Sequence, residues 1–359
     1  MTRTKAPLSS NRTNLNSAKK QTPISKKKEV VLVTGGAGFI GSHVAEELLK
    51  KGNKVVVLDD LSGGHIENVP KKAIFVKGSI TNKKLVEELF KKYKFDYVYH
   101  LAAYAAEGLS HFIRKFNYEN NLVGSINLIN ASINNDVKCF VFTSSIAVYG
   151  KNQLPMHEDM VPNPEDPYGI SKYAIELDLK AAHEMFGLNY IIFRPHNVYG
   201  ERQNIWDKYR NVIGIFIKRA LASEPLTVFG DGSQTRAFTY IADVAPLVAH
   251  SPYKKSAYNN VFNVGAHQPY SVKELAEKVL ELVRPDAGVV HLPPRNEVMH
   301  AHSDHAKLKK HFDYEPQFVL DDGLSRMVNW VRGIEKARPS KTFKVLDTDR
   351  NLPPIWREE

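Results

Sequence analysis

A phenol and an ammonium group four residues apart, Tyr168 and Lys172 in Pro167-Tyr168-Gly169-Ile170-Ser171-Lys172-Tyr173, are the side chains of this chain best suited to chemistry. On a helix, positions i and i+4 share one face, so Lys172 stands one turn beyond Tyr168 and points the same way. A free tyrosine, with a pKa of about 10, is a poor base at neutral pH. A fixed ammonium beside it favours the phenolate and brings it toward general-base strength. Upstream, Thr143-Ser144-Ser145 closes an apolar run, and the Ser145 hydroxyl is placed to bridge the phenol oxygen and a substrate hydroxyl. A Tyr-x-x-x-Lys pair alone reads equally well as a surface helix with an exposed lysine, so its context decides.

That context is a glycine-rich turn near the start of the chain. Glu29-Val30-Val31-Leu32-Val33-Thr34 is an apolar run of strand length, and Ser42 to Lys50 has helical periodicity. Between them lies Gly35-Gly36-Ala37-Gly38-Phe39-Ile40-Gly41. Gly35 allows the tight turn, Gly38 lets backbone approach a pyrophosphate, and Gly41 lets helix pack closely on strand. The pyrophosphate then sits on the helix N-terminus. A second strand, Lys54 to Leu58, ends in Asp59-Asp60. An acid at that distance suits the ribose 2′-hydroxyl of NAD and repels the 2′-phosphate of NADP. Glycine turn, hydroxyl cluster and Tyr/Lys pair, in this order, read as a nicotinamide-dependent oxidoreductase site.

Composition narrows the classes. At 359 residues, 43% of them hydrophobic, the chain is long enough for a full core. Its apolar runs fall short of the roughly 20 residues that span a membrane. The single cysteine, Cys139, excludes an intramolecular disulfide framework, suits a reducing compartment, and reads as a small buried hydrophobe. The net charge of +10 suggests a nucleic-acid partner until it is located. Residues 1–28 hold eight Lys or Arg and no acid, and the remainder is nearly balanced at 41 basic against 39 acidic residues. Residues 1–28 are therefore expected to be a disordered, solubilising basic tail, with no nucleic acid and no membrane as partner.

From 30 to about 195, strand-like runs alternate with helical patterns at 82–93, roughly 112–135 and 168–186. This is the rhythm of a parallel sheet covered on both faces. The expected fold class is α/β, a Rossmann-type doubly wound parallel sheet with a smaller C-terminal substrate-binding lobe. The expected division is 29–195 for the NAD-binding domain, 196–337 for the lobe, with segments that return to the sheet, and 338–359 for a C-terminal arm. Helices are expected at 209–222, 271–284 and 321–335. His300-Ala301-His302-Ser303-Asp304-His305 holds zinc-ligand types, but exposed histidines are the expectation there and no metal is assigned.

These motifs, with His100-Leu101-Ala102-Ala103, Asn121-Leu122-Val123-Gly124, Arg194-Pro195-His196-Asn197-Val198-Tyr199-Gly200 and Phe229-Gly230-Asp231-Gly232-Ser233-Gln234-Thr235-Arg236, resemble the extended short-chain dehydrogenase family, in its nucleotide-sugar epimerase and dehydratase branch. The resemblance spans about 29–335. It implies Ser145, Tyr168 and Lys172 as catalytic residues. It implies NAD held by Gly35, Gly38, Phe39, Ile40, Gly41, Asp59, Ser79, Ile80, Leu101, Ala102, Ala103, Asn121, Tyr168 and Lys172. It implies a nucleotide sugar, most simply a UDP-sugar, contacted by Ser145, Tyr168, Asn197, Arg236 and Arg295. It further implies a cytoplasmic homodimer whose helices pair across a two-fold axis.

Two departures bear on the reaction. The third strand is followed by Gly78-Ser79-Ile80 where the family usually carries an acid, and Ser145 is followed by Ile146-Ala147. The 4,6-dehydratases of the family carry an Asp-Glu pair at the latter position and the uronate decarboxylases a Glu. Dehydration needs such acids to protonate a leaving hydroxyl, and two aliphatic residues cannot supply them. The expectation is therefore C4 epimerisation of a nucleotide sugar through a transient 4-keto intermediate, closest to the UDP-glucose 4-epimerases. The alternatives are a 3,5-epimerase, a net oxidoreductase, or a non-catalytic binding member of the family.

Overall fold

The computed structural model describes residues 1–2, 28–151, 153–207, 209, 211–294, 298–334, 343, 346–353 and 356. Most of the expected basic tail, and Arg295 with its two following neighbours, lie outside the described residues. The β-branched run at the start of the fold becomes strand β1 (Val30–Thr34), and the glycine turn leads into helix α1 (Phe39–Lys50). Then follow β2 (Lys54–Asp59), β3 (Ile74–Lys77), α2 (Lys83–Tyr93) and β4 (Tyr97–His100). Next come two single-turn helices, α3 (Glu107–Ser110) and α4 (Arg114–Asn117), and after them α5 (Gly124–Ile133) and β5 (Cys139–Thr143). The long helix α6 (Pro167–Phe186) precedes β6 (Tyr190–Pro195).

Seven parallel strands form the main sheet, in the order Asn260–Val264, β6, β5, β4, β1, β2, β3. The seventh strand comes from the C-terminal part of the chain, as the expected return to the sheet requires. Alternate side chains of each strand enter two separate cores. Val31, Val33, Tyr99, Val141 and Phe193 pack on one face; Leu32, Val98, Phe140, Phe142 and Ile192 pack on the other. Both faces are covered, which is why these strands read as continuous apolar runs rather than alternating ones. Cys139 is fully buried. The fold is the expected Rossmann-type α/β arrangement.

The sheet order reverses at β1, with β2 on one side and β4 on the other. Ligands in such folds bind in the crevice beyond the strand ends at that switch point. The expected helix over 112–135 is observed as continuous helical backbone over 114–133, with a π-turn at Tyr118–Val123 between α4 and α5. Long-range bonds set it: Asn117 Nδ2 donates to Pro167 O (2.8 Å), and Asn121 Oδ1 accepts from Tyr104 N (2.8 Å). The apolar period of the segment carries no trace of those partners.

Candidate active site

Thr34 ends β1 and Gly35 turns the chain with φ 72°, a left-handed backbone that suits glycine. A Cβ at Gly35 would stand 2.7 Å from Ala102 N, and one at Gly41 would stand 2.1 Å from Gly35 O. Helix α1 begins at Gly38 without a side-chain cap, so its first N–H groups face the cleft unclaimed by any capping side chain. Asp59 lies at the end of β2, nearly buried at 8% exposure. Its carboxylate accepts from Ala37 N (3.0 Å) and Leu61 N (2.8 Å), tying β2 to the glycine turn. Burial pushes its carboxyl above the usual range, opposed by these backbone bonds.

Helix α6 is set by its own ends. Asp166 caps it by accepting from Gly169 N (3.0 Å), Pro167 occupies the first turn, and Gly187 stops it at φ 75°. Three side chains follow one face at four-residue steps: Tyr168, Lys172 and Glu176. All are buried, at 6%, 3% and 5% exposure. Lys172 Nζ donates to Thr143 O (2.7 Å) and lies 5.7 Å from the Tyr168 ring centre. Burial lowers the Lys172 ammonium to about 7, with Glu176 pulling the other way. Ser145 Oγ accepts from Ala147 N (3.1 Å), which fixes the start of the short 146–149 helical turn.

One continuous cleft is lined by Gly35, Gly38, Phe39, Ile40, Gly41, Asp59, Ser79, Ile80, Leu101, Ala102 and Ala103 at one end. Ser145, Tyr168 and Lys172 line it too, as do Ile146, Ala147, Asn197 and Arg236. Nearly every residue singled out in the sequence therefore shares one cavity. Asn121 does not line it; its side chain lies beneath, donating to Tyr104 O (3.1 Å) and Asn117 Oδ1 (2.8 Å). Arg236 is oriented by donating to Thr235 O (2.9 Å), Met299 O (3.0 Å) and Val298 O (2.6 Å). Asn197, at φ 44°, donates to Ala237 O (3.2 Å) on the same segment.

Other residues brought to the site were given no role by the sequence. Glu176 accepts two bonds from Arg194 (3.0 and 2.5 Å) and one from Ser144 Oγ (2.5 Å), with both charged side chains 4% exposed. The only advance signal was the spacing of Glu176, eight residues past Tyr168. His100 is held between Thr34 Oγ1 (2.7 Å) and Ser125 Oγ (2.7 Å), and burial keeps its imidazole well below the usual pKa. The histidine segment also departs from expectation. His300 is exposed, but His305 is 3% exposed, its ring stacked on buried His196 at 5.3 Å with Ser303 Oγ between the two rings' Nε2 atoms (2.9 and 3.1 Å). Stacking on a residue of the distant β6 end removes it from solvent. Among the described residues, no group of three or more His, Cys, Asp or Glu is placed to hold a metal ion. Among them, too, no helix is long and apolar enough to cross a membrane.

The fold has close counterparts among known proteins. The sequence model of the NAD-dependent epimerase/dehydratase family matches residues 31–265. A UDP-glucose 4-epimerase of Thermotoga maritima, solved with UDP-glucose, is 36% identical with a TM-score of 0.82, covering 84% of this chain and 98% of that one. A UDP-glucose 4-epimerase of Mycolicibacterium smegmatis is 33% identical over 84% of this chain and 98% of its own. A UDP-N-acetyl-alpha-D-glucosaminuronate decarboxylase of Bacillus cytotoxicus is 33% identical over 86% and 99%.

Proposed function

The chain belongs to the NAD-dependent epimerase/dehydratase family, and on that premise we infer that it inverts the C4 centre of a nucleotide sugar of the UDP-glucose/UDP-galactose kind. The observation that carries this reading is the cleft wall beside Ser145. Ile146 and Ala147 line it, so the two positions after Ser145 supply no acid to expel a hydroxyl or assist loss of a carboxylate, which favours redox inversion at a carbinol carbon.

The residues present fit NAD. The glycine turn leaves no space for Cβ atoms at Gly35 and Gly41, the first turn of α1 is uncapped, and an acid rather than a base closes β2. When bound, NAD supplies a two-electron acceptor for the C4–H bond and returns the electrons to the same carbon, so the redox change cancels over a turnover. The protein's part is proton transfer and positioning. Tyr168 as phenolate takes the proton of the sugar 4-hydroxyl through Ser145, and as phenol returns it to the same oxygen when the C4 carbonyl is reduced from its other face. Lys172, close to the phenol ring, stabilises the phenolate. Asn197 and Arg236 hold the diphosphate as a fixed end, an amide and a bidentate-capable guanidinium serving as donors. Arg295 is assigned to the same diphosphate by its motif. The sugar then swings about that end to present its other face.

The proposed assembly is a homodimer through α5 and α6. Leu177, Met185 and Phe186 are 51%, 74% and 64% exposed on α6, an unusual apolar display for a free surface. The lone buried cysteine supports a cytoplasmic setting. The divisions 29–195 and 196–337 stand as proposed cofactor and substrate units.

Incubating the full chain, without added NAD, with UDP-glucose, UDP-N-acetylglucosamine, UDP-glucuronate and GDP-mannose tests the reading by chromatography that resolves C4 epimers. A C4 epimer of one UDP-sugar is the expected product; none from any substrate, with NAD then supplied, overturns it.

Lys172 offers a second check through stability. Its pKa is about 7 in the fold and, as for any free lysine, about 10.4 when unfolded. Between those values the unfolded chain binds the extra proton, so stability contributed by this group rises with pH across that window and is lowest below about 7. The stability difference between wild type and Lys172→Met is therefore expected to shift in favour of wild type from about pH 7 to about pH 10. Denaturant midpoints for both proteins across that range measure it, and parallel curves would refute the burial of a titrating ammonium.

A further inference from the structure

Residues near the C-terminus lie outside the 31–265 span matched by the family model, yet they reach the cleft. Phe343 sits between Tyr104 and Phe116, at ring distances of 5.2 and 5.1 Å. Asp347 fastens the segment: its carboxylate accepts from Lys115 N (2.8 Å), and its own N–H donates to Phe112 O (2.8 Å). Leu352 and Trp356 are then buried at 6% and 9% exposure.

Trp356 stands between two banks. On one side it meets Phe112 (6.2 Å between rings) and Gly108, where an added Cβ would come within 3.0 Å of the indole. On the other it meets Tyr209 at 5.4 Å, whose N–H is held by Asp207 Oδ1 (2.9 Å). The Gly108 bank leads directly to the reacting end. Ser110 Oγ donates to Glu107 O (2.6 Å), lies 3.3 Å from the capping Asp166 carboxylate, and accepts from Tyr168 N (3.3 Å). The Tyr209 bank belongs to the loop after β6 that follows Asn197. Trp356, Leu352 and Arg350 all line the cleft between them.

We propose that the described residues 346–353 and Trp356 close the sugar end of the cleft as a strap, with Trp356 as the residue that holds the pyranose against the Tyr168 bank. It rests on the nucleotide-sugar reading above. An indole presents a broad rigid face at low cost in side-chain entropy and matches the C–H face of a pyranose. Through Gly108 and the nearby Ser110, which bonds Tyr168 N, it connects to the Tyr168 end of α6, so it is assigned to the sugar and not to the nucleotide. Asp347 acts through the strap as a positioning residue.

The test is calorimetric titration of the NAD-loaded full chain with UDP and with UDP-glucose, in wild type, Trp356→Ala and Asp347→Ala. Trp356→Ala is expected to leave UDP affinity unchanged and to weaken UDP-glucose about ten-fold, the scale of losing a buried aromatic anchor. Asp347→Ala, remote from the ligand, is expected to shift UDP-glucose in the same direction by less. Equal loss of both ligands would make the segment a brace of the fold and overturn the proposal, as would no change in either. Wild type that binds UDP-glucose and forms no epimer from any sugar defeats epimerisation and leaves the strap to be judged by the affinity ratio. Wild type that binds neither ligand defeats both.

Discussion

Tyr168→Phe is expected to lower kcat by about 10²–10⁴, the usual contribution of a positioned general acid–base, with KM for the nucleotide sugar little changed. The substitution removes one oxygen from a side chain 6% exposed and leaves the ring, the Asp166 cap and the path of α6 in place. On the proposed reading the substrate is gripped elsewhere, at Asn197 and Arg236, so binding is expected to survive the loss. A group acting only in the transition state depresses kcat and kcat/KM together. Steady-state rates from the epimer assay read this directly. A variant that keeps more than about a tenth of wild-type kcat falls below the range for such a group and would remove Tyr168 from the proton path.

The second large effect is on stability. Glu176→Ala strips the carboxylate from a buried pair in which Arg194 donates two bonds to it. The guanidinium is then left in a core with its charge uncompensated, and its ionised form was favoured chiefly by Glu176. Breaking a buried pair from one side costs about 3–5 kcal/mol. At roughly 2–4 °C per kcal/mol for domains of comparable or somewhat smaller size, the melting temperature is expected to fall by about ten degrees. Differential scanning calorimetry of Glu176→Ala, Arg194→Ala and the double variant measures it. The double variant is expected to lose less than the sum of the two, because it no longer buries an orphaned charge. Additive losses would show that the two residues act separately. Activity should fall as well, since Ser144 and the Lys172 face of α6 are tied through the same carboxylate.

How much of this was legible in the sequence follows from which contacts are local. Gly35, Gly38 and Gly41 announce their turn because strand, turn and helix are adjacent in the chain. Tyr168 and Lys172 announce a shared face because one helical turn joins them. Six of the seven main-sheet strands were visible as apolar runs, and the return of a later segment was anticipated without its position. What escaped depends on partners far along the chain. The π-turn at 118–123 inside the expected helix is fixed by Asn117 and Asn121 bonding to Pro167 and Tyr104. Glu176 looks like any helix carboxylate until Arg194 is folded against it. His305 loses its expected exposure only through His196. Trp356 gave no periodic signal, since its neighbours Gly108, Phe112 and Tyr209 come from two distant stretches of the chain.

The strand Asn260–Val264 pairs with β6 along five residues, although some sixty residues of intervening chain separate the two. Until that strand emerges from the ribosome, β6 is a bare apolar edge, with Ile191, Ile192 and Phe193 offering unpaired backbone. Synthesis at about 5–20 residues per second leaves this edge open for several seconds. During that interval the nascent chain has the cofactor end of its sheet but no protection on one flank. Parallel pairing over such a separation is also slow to form. The price of building the sheet from both halves of the chain is thus a vulnerable moment in birth, while β6 waits for its partner strand.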